Sequence, residues 1–233
     1  MNEKGSFVGR RKELAQLHKA HSNKCHLLIT GPAGVGKSAL LRQARLYFPL
    51  LLCEETSSLR KICETLEQQL GWTHRKMDVV ERKNRLLPYL LCRAQLVAFD
   101  GVASAPPRVA RFIAHLIERI PVWITCRSGN RKQIGAVWEY LYQFERMELG
   151  VLSPKETAAL LEATINAGRL PRSSRNHCSQ LHRLSKGNPR VLGELLIELA
   201  SRDYRLENPF YRRLLDLDRR IHSFTASACT GSR

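Results

Sequence analysis

Residues 31–38 read Gly-Pro-Ala-Gly-Val-Gly-Lys-Ser and lie between two apolar runs, at 26–30 and 39–41. The pattern fits GxxxxGK[ST], and it stands where that pattern has physical meaning, after a strand and at the opening of a helix. Glycines let the backbone fold so that successive N–H groups point inward at phosphate, and the helix N-terminus adds positive potential. Gly31, Pro32, Ala33, Gly34, Val35, Gly36, Lys37, Ser38 and Ala39 are therefore expected to hold a nucleoside triphosphate. Lys37 is expected at the β- and γ-phosphates and Ser38 on Mg²⁺.

A strand–loop–helix unit of this kind needs a sheet to sit in, and the chain supplies one. Strand-length apolar runs at 26–30, 49–53, 95–100, 122–125 and 146–149 alternate with helical stretches at 11–20, 37–47, 59–70, 79–92 and 108–119. That alternation predicts an α/β fold with a parallel sheet covered by helices. After Gly150 no further strand is expected. Ser153, with Glu156 three residues on, is a capping-box start for a helix to about residue 167, followed by helices at 174–184, 189–201 and 209–221. The organisation expected is a nucleotide-binding domain over 1–150, a helical lid over 151–205, and a C-terminal helix with a loosely held tail over 206–233.

Composition narrows the class. With 43% hydrophobic and 25% charged residues in 233, the chain is of globular type, and no apolar run approaches the roughly 18 residues a membrane span requires. No signal-type segment opens the sequence, so a cytoplasmic protein is expected. Seven cysteines without a CxxC pair read as reduced, metal-free hydrophobes. The 38 Lys plus Arg against 21 Asp plus Glu give a net charge of +17, which suggests a polyanionic partner.

A second strand must deliver an acid to the metal. Leu96-Val97-Ala98-Phe99-Asp100 does so, placing Asp100 with Ser38 as a metal ligand in the manner of a Walker-B aspartate. Gly101-Val102-Ala103-Ser104 follows, and no second carboxylate stands beside Asp100 to orient water.

Five markers in order, Phe7-Val8-Gly9-Arg10, the phosphate loop, the Asp100 strand, Ile124-Thr125-Cys126-Arg127 and Gly187-Asn188-Pro189-Arg190, resemble the AAA+ ATPases. The resemblance spans about residues 5–203. It is greatest to the branch holding origin-recognition initiators, transposon-encoded AAA+ regulators and STAND signalling ATPases. It implies a five-stranded sheet of order 5-1-4-3-2, a helical lid, and ATP with Mg²⁺, since Val8 and Gly9 match the segment that packs on adenine. It further implies a catalytic set of Lys37, Asp100, Thr125 (sensor 1), Arg127 (the "T-x-R" arginine) and Arg190 (sensor 2, beside Pro189). One STAND branch carries Asp-Gly-x-Asp-Glu where this chain keeps only the Asp-Gly, so slow hydrolysis is expected, with Glu54 or Glu55 as substitute bases if the fold brings them near. Arg131, Lys132 and Arg146 are the candidates for an arginine donated to a neighbouring subunit.

Arg60, Lys61, His74, Arg75, Lys76, Arg82, Lys83 and Arg85 crowd the segment after the second strand, with Trp72 among them. In DNA-handling members of the family this segment lines the nucleic-acid path, and such contacts are salt-sensitive and sequence-blind. The expected partners are therefore double-stranded DNA, further copies of the chain in a ring or filament, and a recruited factor such as a recombinase, as in transposition regulators. The alternative is a STAND-like switch that acts through a protein partner.

Overall fold

The computed structural model describes residues 9–72, 77–201 and 208–230, the last eight of these as backbone only. They form two compact units, Arg10–Gly150 and a second that begins at Val151 and includes Gly9.

The first unit alternates as its apolar runs require: α1 (Arg11–Ser22), β1 (Leu27–Thr30), α2 (Lys37–Ala44), β2 (Leu50–Cys53), α3 (Leu59–Gln69), α4 (Val79–Arg93), β3 (Leu96–Phe99), α5 (Pro107–Ile117), β4 (Val122–Cys126), α6 (Arg131–Ile134), a 3₁₀ helix (Ala136–Gln143) and β5 (Glu145–Glu148). All strand pairings are parallel, and the order is β2-β3-β4-β1-β5, the 5-1-4-3-2 order implied by the family resemblance. Strands β3 and β4 are buried at every position and β1 at all but Thr30, which is why they read as unbroken apolar runs rather than alternating ones. The register sets Thr30 beside Cys126 and Cys53 beside Phe99. The loops that leave β1, β3 and β4 therefore emerge at one edge of the sheet, where open α/β folds bind ligands.

Local chemistry fixes the helices around this sheet. Ser58 caps α3 by accepting from the Lys61 N–H, and Pro106 and Pro107 open α5. Asp78 caps α4 in a complete box with Glu81, a start signal present in the sequence beyond those expected. The edge strand β2 is closed by a side chain: the Gln69 amide donates to the Leu52 carbonyl at 2.7 Å and accepts from the Leu52 N–H at 3.0 Å, leaving no bare ladder there for another chain to extend. Cys53 and Cys63 lie in the core; burial pushes the Cys63 thiol up to about 11 and that of Cys53 up as well, so both stay protonated.

The second unit is helical: α7 (Pro154–Asn166), a 3₁₀ turn (Arg172–His177), α8 (Cys178–Ser185), α9 (Pro189–Ser201) and α10 (Pro209–Thr230). Ser153 and Glu156 make the reciprocal capping box, and Leu161, Ile165, Leu181, Leu192, Leu195 and Leu215 form its core. Three elements differ from the sequence expectation. The segment 174–184 divides into the 3₁₀ turn and α8. The helical pieces after β4 add to the expected elements. The stretch 223–230, expected as a loose tail, has a helical backbone, consistent with the strong helix former Ala at 226 and 228. No described helix is long and apolar enough to cross a membrane.

Candidate functional site

The phosphate loop owes its shape to two glycines. Gly31 has φ +152°, and a Cβ there would lie 2.4 Å from the Leu149 carbonyl oxygen, so the first turn tolerates no side chain. Gly36 has φ +102° and caps α2, with open space where a Cβ would sit. Backbone strain and free room coincide at the helix N-terminus, which suits a bound anion. Val35 is buried and pins the middle of the loop, and its carbonyl accepts from Arg10 Nη2 at 3.2 Å. Arg10 is itself buried. It also reaches Gly150 O at 2.5 Å and pairs with Glu13 at 2.9 Å, tying the loop to the chain that leaves β5. The sequence displayed Arg10 within its first marker, yet gave no sign of this role.

Lys37 Nζ donates to Gly31 O at 2.6 Å and Pro32 O at 2.8 Å. Burial holds its pKa below the usual lysine value, Arg127 pushes the same way, and the nearby Asp100 opposes them. Asp100 is buried at the end of β3. Its Oδ1 accepts from Thr125 Oγ1 at 2.5 Å, and that hydroxyl in turn accepts from the Gly101 N–H at 2.7 Å. Thr125 is fully buried, so this chain of bonds fixes one oxygen of Asp100 from inside the protein. The other oxygen has no hydrogen-bond donor among the described residues.

These groups converge. Lys37, Ser38, Asp100, Thr125, Arg127 and Lys132 line one cavity of about 590 Å³, and Ala33 and Gln133 also border it. The donor set, one hydroxyl and one carboxylate beside a phosphate loop, fits Mg²⁺, which keeps several waters and takes few protein ligands. No cluster of three His, Cys, Asp or Glu among the described residues offers a protein-only metal cage.

The structure corrects the expectations for Glu54, Glu55 and Arg82 and places the other candidates. Glu54 and Glu55 do not line the cavity; they pair with Arg42 at 2.7 Å and Lys61 at 2.9 Å. Asp100 is the sole carboxylate among the described lining residues. Lys132 lines its own chain's cavity, and Arg131 stands 5.9 Å over the Trp138 ring, while Arg146 is exposed on β5. Arg82, expected to contact DNA, is buried against the buried Glu67 in an ion pair that joins α4 to α3. A guanidinium held there is not presented to a phosphate.

The rest of the basic cluster lies as follows. Arg60 and Lys61 are exposed on α3, Arg85 is exposed and sits 4.2 Å over the Trp72 ring, and Lys83 is half-exposed. Arg75, Lys76 and His74 lie outside the described residues, as does Val8. Gly9 has φ +83° and approaches Glu156 of its own unit. Pro189 opens α9 in the second unit, where Asn188 Oδ1 caps the Arg190 N–H at 3.0 Å and Arg190 Nε donates to Glu194 at 3.0 Å.

The AAA ATPase domain family model matches residues 6–186. Among solved structures, the Orc1 protein of Aeropyrum pernix in complex with DNA shares 15% identity over 94% of this chain and 66% of its own, with a TM-score of 0.66. Cdc6p of Pyrobaculum aerophilum shares 16% over 84% and 63%, at 0.63. A STAND protein with a tetratricopeptide repeat sensor from Pyrococcus horikoshii shares 18% over 82% and 30%, at 0.54. The chain thus spans less than two thirds of each of these proteins. No curated protein matches it. A phosphate loop, a buried acid and a threonine brought together at the carboxyl edge of a 5-1-4-3-2 sheet agree with the family match over most of the sequence and with the fold of these solved structures, and the chain belongs to the AAA ATPase domain family.

Proposed function

We propose that this chain binds ATP with Mg²⁺, turns it over slowly, and assembles as a homo-oligomer on duplex DNA, where it recruits or licenses another factor. The observation that carries the nucleotide part is the convergence of Lys37, Ser38, Asp100, Thr125 and Arg127 on one cavity with a single carboxylate. When bound, ATP with Mg²⁺ supplies a transferable phosphoryl group and the countercharge that orients it. The chain's own residues do the remainder. Lys37 exchanges its bonds to Gly31 and Pro32 for phosphate oxygens. Thr125 fixes one oxygen of Asp100, whose carboxylate with the Ser38 hydroxyl would hold the metal, and Arg127 and Lys132 would supply cations to the terminal phosphate, the basis of a nucleotide switch. With no second carboxylate among the described residues that line the cavity, slow turnover and a long-lived bound state are expected.

The DNA part rests on the +17 charge and on Arg60, Lys83 and Arg85, which remain at the surface after α3 and α4 form. Ring or filament assembly and a recombinase-type partner are the finer parts of this reading. Size-exclusion chromatography with ATP alone, duplex alone and both together tests it, run beside a steady-state ATPase assay. Large assemblies that require both ligands, with turnover well below one per second, are expected. Assemblies that ignore ATP would defeat the reading. The single carboxylate also favours a second reading, a STAND-like switch that signals through a protein; ATP binding without DNA binding would select it.

A further inference from the structure

The C-terminal helix carries two separate apolar faces. One is used: Leu215 is fully buried in the second unit's core, Tyr211 and Leu214 pack against it, and Arg219 and His222 bond to Glu194 and Glu198 of α9. The other is not. Phe210, Leu217 and Ile221 are 64%, 50% and 49% exposed. At 3.6 residues per turn their stripe lies about 120° around the helix from the face that packs on α9.

The spacing within this stripe is informative. Phe210, Leu217 and Ile221 recur at intervals of seven and four, with Leu214, half-buried against the core, at the margin of the stripe, and the sequence continues the pattern with Phe224. That is the a/d repeat of a helix that pairs with another helix, with Leu214 and Ile221 at a and Phe210 and Leu217 at d. Arg213 and Arg220 then fall at g and Asp218 at e. In a parallel pair each g residue faces the e residue five positions on in its partner, so Arg213 of each copy meets Asp218 of the other. In an antiparallel pair g faces g, and Arg213 meets Arg220. The charges accept one orientation and oppose the other. Asp218 already interacts within its own chain, and a carboxylate with two oxygens accepts a second cation.

We propose that α10 is a self-pairing helix, through which two copies of this chain associate in parallel and in register along the stripe of Phe210, Leu217 and Ile221. The occupant is a second copy, because the flanking charges complement themselves under a two-fold axis. The pairing does not depend on nucleotide, and it is tested apart from the ATP and DNA readings by omitting both ligands and by including the Lys37→Ala variant.

Sedimentation equilibrium of the full chain is expected to show a reversible two-copy species, unchanged in Lys37→Ala. Combining Leu217→Glu with Ile221→Glu is expected to weaken it by roughly tenfold or more. Arg213→Asp alone weakens it, and adding Asp218→Arg restores it. A Leu217→Cys variant, with Cys92 and Cys229 replaced by serine, is expected to cross-link to itself on mild oxidation, since d faces d only in the parallel register. A parent chain that stays monomeric at about 100 µM would overturn the proposal. So would a dimer indifferent to the glutamate pair, a charge swap that fails to restore association, or a Leu217→Cys variant that forms no cross-link.

Discussion

Thr125 is where the site's geometry depends on a single hydroxyl. Thr125→Val keeps the volume and removes both bonds, leaving Asp100 Oδ1 and the Gly101 N–H unpaired in the interior. A loss of about 1–3 kcal/mol is expected in denaturant unfolding, together with weaker Mg²⁺-dependent nucleotide affinity while Mg²⁺-free binding holds. Equal affinities with and without metal in the parent would remove Asp100 from the metal's side. Asp100→Asn should show the same metal-specific defect with most nucleotide binding spared, since an amide holds a metal shell less well than a carboxylate. Lys37→Ala should abolish binding in a fluorescent-nucleotide titration, because Lys37 is the cation that the loop itself supplies to the phosphates. Lys37 stands out in the sequence through the fixed spacing of the phosphate loop and Asp100 through the apolar run that ends on it, whereas Thr125 is singled out only by the family resemblance. Arg10 and Lys132 do not stand out, since their roles arise only once Gly150 and Val35, or the turn after β4, are folded beside them.

Between elements, the α3–α4 contact shows how charge in a sequence misleads. Arg82 stands in a run with Lys83 and Arg85, yet it is the buried partner of Glu67. Arg82→Ala is expected to cost about 3–5 kcal/mol by stranding a buried carboxylate, and Arg82→Met with Glu67→Leu to recover most of it. Equilibrium unfolding of the three proteins measures this. An Arg82→Ala chain as stable as the parent, with weakened DNA binding, would return Arg82 to the surface role. Strands β1, β3 and β4 were legible because they are buried on both faces and bounded by turns. The helical pieces after β4 were illegible because tertiary bonds place them: Ser104 N–H donates to Gln133 O at 2.7 Å and Ala136 N–H to Ala105 O at 3.0 Å. Gly135, whose Cβ would lie 2.5 Å from Ala105 N, allows that approach, and no local periodicity records it.

At the scale of the whole molecule, the fold and the cavity follow from spacing and burial, while the proposed partner rests on a summed charge. The proposed function joins the two: bound ATP is expected to control how strongly the basic surface engages duplex DNA. Reversing Arg60, Lys83 and Arg85 to glutamate should reduce duplex affinity for all sequences alike, with ATP binding intact. The salt slope should fall by about 0.9 for each phosphate no longer neutralised. The most direct test is fluorescence anisotropy of a labelled duplex titrated with the full chain at several salt concentrations, with Mg²⁺ and either ATP or no nucleotide. Tighter binding with ATP, a steep salt dependence, and loss of the ATP effect in Lys37→Ala are predicted. No binding at low salt, or an affinity that ATP leaves unchanged, would contradict the account.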